Sequence, residues 1–310
     1  MAAKILSGKD FADAINAETR VEIERFREVH GRSPALTVVR VGNDPASDVY
    51  VNKKVKTAGE LGMISHHHHV ADTITTDELL QLIASLNDNP QVDGILVQLP
   101  LPKGIDERVV LESIDAKKDV DGFHPVNAGN LWLGHETLVP CTPAGVIEIL
   151  KRAGIEIAGR EAVIVGRSNI VGKPMAALLL TENATVTLAH SRTNDLASVT
   201  RRADILVAAV GRAAFITTEH IKEGAVVIDV GINRLEDNSL LSDVFSDDEI
   251  EKRAAAINSR GFTLIGDVNP RDAAEKASHF TPVPGGVGLL TVAMLMKNTV
   301  TAAKLRIQNL

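Results

Sequence analysis

The 310-residue sequence predicts an α/β protein in two domains, each a parallel sheet covered by helices. Three observations carry that expectation. Strand-like apolar runs alternate with helical ones from end to end, the pattern of strands joined by crossover helices. The runs fall into two sets, separated by a loop-rich stretch over residues 115–140. Residues 162–180, AVIVGRSNIVGKPMAALLL, read as a short buried strand that breaks into a glycine turn and resumes as a helix.

The first set opens with a long amphipathic helix over 8–29. Strands are expected at 36–41, 63–70 and 94–98, with helices at 47–61 and 76–87 between them. Residues 43–46 read as a turn and Ser47 as the cap of the helix that follows. Four consecutive histidines, His66 to His69, fall inside the second strand. Side chains alternate along a strand, so at most two share a face, and the run reads as a structural or solvated strand and not as a metal site.

Thr142 and Pro143 read as the cap and first turn of a linker helix over 143–153. The second set then places strands near Ala162, Thr185, Ile205 and Ala225 and a short one near Thr263. A last helix over 289–306 follows the loop PVPGGVG and returns to the first domain. The domains are therefore 1–140 with 281–310, and 141–280.

Composition excludes several classes. A formal charge of -7 and 3% aromatic residues argue against nucleic acid. No apolar run approaches the ~20 residues that cross a bilayer, and the first residues lack the apolar core of a signal peptide, so a cytoplasmic protein without membrane contact is expected. Cys141 is the one cysteine, which excludes an internal disulfide and argues against structural zinc.

The glycine turn is where a nucleotide phosphate is expected. Gly166 and Gly172 stand where the backbone must fold back or touch a ligand, and Pro174 suits the first helical turn. The helix N-terminus would then point amide donors at an anion. The spacing departs from G-x-G-x-x-G: Arg167 and Ser168 follow the first glycine, and the next comes six positions after it. In dinucleotide folds a carboxylate about 20 residues beyond the turn holds the ribose hydroxyls, and a basic residue there accommodates the extra phosphate of NADP. Here the second strand ends in His190, Ser191 and Arg192. With Arg167 on the same side, a Rossmann-type domain binding NADP in preference to NAD is expected.

The first domain carries a second constellation. Tyr50 and Lys54 stand four apart on one helical face, an aromatic plate and an amine on one wall. A lysine partly withdrawn from water serves as an acid or base near neutrality. Gln98 lies at the carboxyl end of the third strand, where open α/β sheets bind ligands, and its amide can orient an amine or water. Asp119 and Asp121 follow in KKDVDGFHPVNAG, and either carboxylate can accept paired hydrogen bonds from an amino-substituted heterocycle or serve an ordinary turn. The loop holding Pro282, Gly285 and Gly286 is a rigid segment whose bare backbone can approach a flat ligand. These residues alone leave open another NADP-linked two-domain dehydrogenase, or a cofactor-binding regulatory protein without turnover.

In order along the chain, VGNDPAS with Tyr50 and Lys54, DGILVQLPLP, KDVDGFHPVNAG, PCTPAGV, VIVGRSNIVGKP, VIDVGIN, GDV and TPVPGGVG resemble the bifunctional methylenetetrahydrofolate dehydrogenase and methenyltetrahydrofolate cyclohydrolase family. The resemblance implies hydride transfer from methylene-tetrahydrofolate to NADP+, then water addition to the methenyl cation to give formyl-tetrahydrofolate. It implies Lys54 as the central catalytic residue, Gln98 tuning its protonation, Tyr50 stacking on the aminobenzoyl portion and Asp121 binding the pterin edge. It places Pro282, Gly285 and Gly286 on the folate side, and Gly166, Arg167, Ser168, Gly172, Ser191 and Ile232 at the nucleotide. It further implies a homodimer, and leaves a single-activity member as an alternative. After PGGVG the family usually has proline and methionine, whereas this chain has Leu289 and Leu290.

Overall fold

A computed structural model describes residues 3–43 and 45–308, apart from the side chains of 45–47, 49 and 308. Along the chain the first elements are β1 (Lys4–Ile5), α1 (Gly8–His30), β2 (Ala35–Val41), α2 (Pro45–Leu61), β3 (Ile64–Val70), α3 (Thr76–Asp88) and β4 (Gly94–Val97). Next come α4 (Glu107–Glu112), α5 (Pro125–Leu133), α6 (Cys141–Arg152), β5 (Glu161–Val165), α7 (Gly172–Thr181), β6 (Thr185–Ala189), α8 (Leu196–Thr200) and β7 (Ile205–Ala208). The rest are β8 (Val226–Asp229), β9 (Asn233–Leu235), α9 (Leu241–Val244), α10 (Asp247–Arg260), β10 (Thr263–Ile265), α11 (Pro270–Lys276), β11 (His279–Phe280) and α12 (Val287–Gln308).

The chain forms two compact units, one of residues 12–141 with 291–310 and the other of 1–11 with 142–290. The α/β reading in two parts holds, but residues 1–11 and 281–290 fall in the unit of the second strand set. Pairing decides this. β1 lies parallel to β11, Lys4 opposite His279, and extends that unit's sheet, while the Gly8 N–H at the start of α1 donates to Gly285 O at 2.8 Å. Two-residue strands carry no periodicity, so neither β1 nor β11 is visible in the sequence.

In the unit of 12–141 and 291–310, three parallel strands run in the order β3-β2-β4. Central β2 is buried at every residue, as a strand covered on both faces must be. On one face Val39, Val41, Ile95 and Val97 pack with Leu79, Ile83 and Leu86 of α3. That helix opens with a capping box, Thr75 accepting from the Glu78 N–H while the Glu78 carboxylate accepts from Thr75. α2 packs against β2 and β3 and buries Val51, Lys54, Ala58 and Leu61, a stripe at helical spacing. The last helix returns to the first, with Lys304 Nζ 2.7 Å from Glu22 Oε2. Fully buried Asp93 accepts from Arg32 at 2.6 and 2.8 Å and from Arg306 at 2.9 Å, tying the α1–β2 loop to α12.

In the other unit a six-stranded sheet runs β1-β11-β8-β7-β5-β6 with its neighbouring strands parallel. The strand expected near Thr263 does not join it. β10 pairs antiparallel with β9, Leu264 opposite Arg234, as a separate ribbon. Three other expectations change locally. α2 begins at Pro45, so Ser47 lies inside the helix, and α6 begins at Cys141, so Thr142 does too. The stretch 115–140 is not all loop, because α5 starts at Pro125 behind a His124 cap whose Nδ1 accepts from Val126 N. Of the expected turn over 43–46, Asp44 lies outside the described residues.

His67 and His69 share a face of β3, rings 6.2 Å apart and 12° from parallel. His69 Nε2 lies 3.1 Å from Gly42 O. Partial burial, and then His69, Arg40 and His68, push the His67 pKa down. Among the described residues no group of three or more histidine, cysteine or carboxylate side chains forms a metal cage, and no helix is long and apolar enough to cross a membrane.

Candidate functional site

Lys54 occupies the buried stripe of α2 and is only 8% exposed, whereas Lys53 and Lys56 point to solvent. Its Nζ donates to Gln98 Oε1 at 2.9 Å. The Gln98 amide cannot turn freely, because its Nε2 donates to Leu99 O at 2.7 Å and so directs the oxygen at the amine. The Gln98 N–H continues the ladder onto Val39 O at 2.8 Å, which places this side chain at the carboxyl end of the sheet. Tyr50, one turn before Lys54, is 37% exposed.

Asp121 reaches the same place through the segment that follows β4. Ile95 and Asp119 form a parallel bridge, and Ile95 N donates to Lys118 O at 2.7 Å. Lys118, buried, donates from Nζ to the carbonyls of Leu86, Asn87 and Asn89 at 2.9, 2.6 and 2.8 Å. It therefore caps the carboxyl end of α3 with a charge and pins the segment. Asp119 accepts from His124 N at 2.7 Å and Asn127 Nδ2 at 2.9 Å. Gly122 turns at φ 73°, and a Cβ there would stand 2.6 Å from Pro140 N, so glycine is required for the chain to pass.

Burial raises the Asp121 pKa, while the nearby Lys54 charge and a hydrogen bond from Cys141 oppose that rise. The Cys141 thiol is itself pushed well above its ordinary value by burial and by Asp121. Asn298 of α12 donates to Val120 O and Val139 O, both at 2.8 Å, and clamps the two segments that flank Asp121 and Cys141. Asp119 is raised to about 6, chiefly by burial. The structure thus brings Lys54, Gln98 and Asp121 together. It adds Lys118 and Cys141, which lie in KDVDGFHPVNAG and PCTPAGV without an assigned role, and Asn298, whose only sequence signal was a polar residue within an apolar helix.

The nucleotide turn lies at the carboxyl ends of β5 and β6, whose register sets Val165 opposite Ala189. Gly166 takes φ 134°, and a Cβ there would strike the Ala209 carbonyl beyond β7. Gly172 likewise packs on the Gly166 backbone. Arg167, Ser168, Ser191 and Arg192 are exposed at this edge, and no carboxylate ends β6. That edge fits a nucleotide carrying a phosphate where a ribose hydroxyl would otherwise meet an acid. The expected free amides at the start of α7 are absent. Val171 N and Gly172 N donate to Ser168 Oγ at 3.1 and 3.3 Å, and Lys173 N to Ser168 O at 3.0 Å. The Ser168 hydroxyl still has its own O–H to donate.

Ile232 is 47% exposed just past the end of β8. In the glycine-rich loop, Gly285 takes φ 107°, the Val283–Pro284 bond is cis, and Gly286 lies under the Pro282 carbonyl. Leu289 N donates to Gly286 O at 3.2 Å, so the donor that replaces the family's proline is used to close the loop onto α12.

One unit presents a glycine turn with a basic rim at the carboxyl ends of parallel strands. The other presents a buried amine held by an oriented amide, with an acid near enough to feel its charge. Together they define the class as a two-part α/β enzyme working with a nucleotide. Comparison with known proteins gives the family. The catalytic domain of tetrahydrofolate dehydrogenase/cyclohydrolase matches residues 6–121, and the NAD(P)-binding domain of that family matches residues 140–307. The chain belongs to the tetrahydrofolate dehydrogenase/cyclohydrolase family. Among its relatives, the bifunctional protein FolD of Koribacter versatilis is 52% identical over 306 residues, 99% of this chain and 98% of that protein. Its counterpart in Acetivibrio thermocellus is also 52% identical, over 99% of each chain. Among solved structures, the bifunctional FolD of Campylobacter jejuni superposes with a TM-score of 0.87 at 43% identity, covering 98% of this chain and 100% of that one. The FolD of Trypanosoma brucei, solved with NADP cofactor and inhibitor, superposes at 0.88 and 36% identity over 99% of both.

Proposed function

We propose that the chain oxidises 5,10-methylene-tetrahydrofolate to 5,10-methenyl-tetrahydrofolate with NADP+ and hydrolyses the product to 10-formyl-tetrahydrofolate. The observation that carries this is the Lys54–Gln98 hydrogen bond of 2.9 Å beside Asp121, in a chain of this family. Lys54 is the catalytic residue. Its amine, withdrawn from water and held by an amide of fixed orientation, takes the proton of the water that adds to the methenyl carbon. Gln98 orients the amine. Tyr50 stacks on the aminobenzoyl portion, and Asp121 accepts paired hydrogen bonds from the pterin edge. Pro282, Gly285 and Gly286 are assigned to substrate binding as a bare backbone surface.

Gly166, Arg167, Ser168, Gly172, Ser191 and Ile232 are assigned to the nucleotide. When bound, its nicotinamide supplies the hydride acceptor. Arg167, with Arg192, favours the phosphate of NADP over NAD, and the protein's own contribution to that step is orientation and charge. Functionally, 1–140 with 281–310 is the folate part and 141–280 the NADP part. A homodimeric, cytoplasmic enzyme completes the reading, and sedimentation velocity tests the dimer.

The experiment is absorbance-monitored turnover of methylene-tetrahydrofolate with NADP+ or NAD+, resolving NADPH from the methenyl intermediate and its decay. NADPH formation with rapid methenyl hydrolysis is the expected result. Hydrolysis of added methenyl substrate without reduction of either nucleotide would leave a cyclohydrolase alone, and silence in both assays would overturn the reading.

A further inference from the structure

Two carboxylates outside the proposed machinery are linked to each other through the chain, one at the end of a parallel strand and one just past the antiparallel ribbon. Asp229 ends β8, and Asp267 follows β10. They are 5% and 0% exposed, and no ion pair to a cationic side chain holds either among the described residues. Main-chain amides compensate them instead. Asp267 accepts from Val210 N at 2.5 Å, from Gly211 N and Arg212 N at 2.9 Å, and from Asn233 Nδ2 at 2.9 Å. Asp229 accepts from Gly231 N, Asp267 N and Val268 N, each at 2.9 Å.

Three consecutive amides aimed at one point form an anion nest. Here the chain's own carboxylate fills the nest after β7, which removes those amides from phosphate binding. The same pair grips the loop after β8 from both sides of Ile232, Asp229 through Gly231 and Asp267 through Asn233. There is no slack in the arrangement. A Cβ on Gly231 would enter the Asp267 carboxyl, and one on Gly266 the Asp229 carboxyl. Asp229 N also donates to Thr281 Oγ1 at 2.8 Å, at the foot of the glycine-rich loop. Three loops therefore meet on two side chains, the glycine-rich loop joins them through the Asp229 main chain, and the one residue left exposed between the grips is Ile232.

We infer that Asp229 and Asp267 are positioning residues for the nucleotide: they hold the loops after β7 and β8 so that Ile232 stands fixed against it. The inference rests on the assignment of Ile232 to the nucleotide. Burying two acids side by side without a cation is costly, and the donors that offset the cost are thereby held in one geometry.

The test compares wild type with Asp267→Asn and Asn233→Ala, each assayed for reduction of NADP+ and for hydrolysis of methenyl-tetrahydrofolate, with amide hydrogen exchange over 210–212 and 231–233. Losing one donor–acceptor match at a buried charge should raise the NADP+ KM by about tenfold while hydrolysis, which needs no hydride acceptor, changes by less than about twofold. Exchange over both loops should quicken in both variants. Equal losses in the two reactions, or unchanged exchange in Asn233→Ala, would overturn the inference; the milder Asn233→Ala keeps it testable should Asp267→Asn fail to fold. A wild type that reduces no nucleotide would instead reject the proposed function, and the exchange measurement would still decide whether the acids hold the loops.

Discussion

Lys54 differs from its neighbours Lys53 and Lys56 by one physical fact, the buried stripe it shares with Val51, Ala58 and Leu61. That fact was legible, since the apolar residues of α2 define the stripe by their spacing. Substituting Lys54→Met should lower methenyl hydrolysis by at least about a hundredfold while leaving NADP+ affinity nearly unchanged, because the amine is the proposed proton acceptor and belongs to a different compact unit from the glycine turn. Initial rates of methenyl decay and nucleotide titration read the two quantities separately. At the other unit, Arg167→Ala should raise the NADP+ KM by about tenfold and the NAD+ KM by less than about threefold, since the exposed guanidinium is proposed to meet only the additional phosphate. Asp229, Asp267 and Lys118 lie in VIDVGIN, GDV and KDVDGFHPVNAG, motifs that carry the family resemblance, but no role for them was legible there. Their partners are main-chain groups distant in sequence, and no motif records a hydrogen bond to a backbone.

At the scale of elements, long periodic segments were readable and short ones were not. α1, β2, α3 and α12 lie within about two residues of their expected bounds, because each buries a face large enough to impose a period. The short strand near Thr263 was read with the parallel set and its partner β9 was not read at all, since three-residue strands say nothing about their partner. The segment 115–124 shows how one side chain can hold an element in place. Lys118→Met would leave the last carbonyls of α3 without their charged donor, and should destabilise the unit by about 2–3 kcal/mol. The urea midpoint would fall, and the folate KM would rise as Asp121 loosens. Leu289→Pro would remove the N–H that closes onto Gly286 O, opening the first turn of α12. That variant tests whether the loop of this chain depends on the donor, by hydrogen exchange at residues 286–290.

Across the molecule, burial of acids couples stability to pH. Asp119 is raised to about 6 and Asp229 to about 7, from an ordinary 3.8. Between about pH 4 and 7 the folded chain keeps protons that the unfolded chain has released, so these groups favour folding fully below that window and lose their contribution as pH rises through it. Asp119→Asn removes one titration. Its urea midpoint relative to wild type should therefore be more favourable at pH 8 than at pH 5, and an equal difference at both would contradict the assignment. By itself the sequence determined the α/β class, the glycine turn, the missing carboxylate after β6 and the candidates Tyr50, Lys54, Gln98 and Asp121, because period and local turn chemistry are written in neighbouring residues. Only the tertiary structure decided that β1 joins the sheet of residues 142–290, that Lys54 meets Gln98 across 44 positions, and that Asp229 and Asp267 fill the amides of loops up to 57 positions away. Those outcomes depend on which distant backbone groups lack a partner once the strands have paired, a quantity that no local pattern encodes.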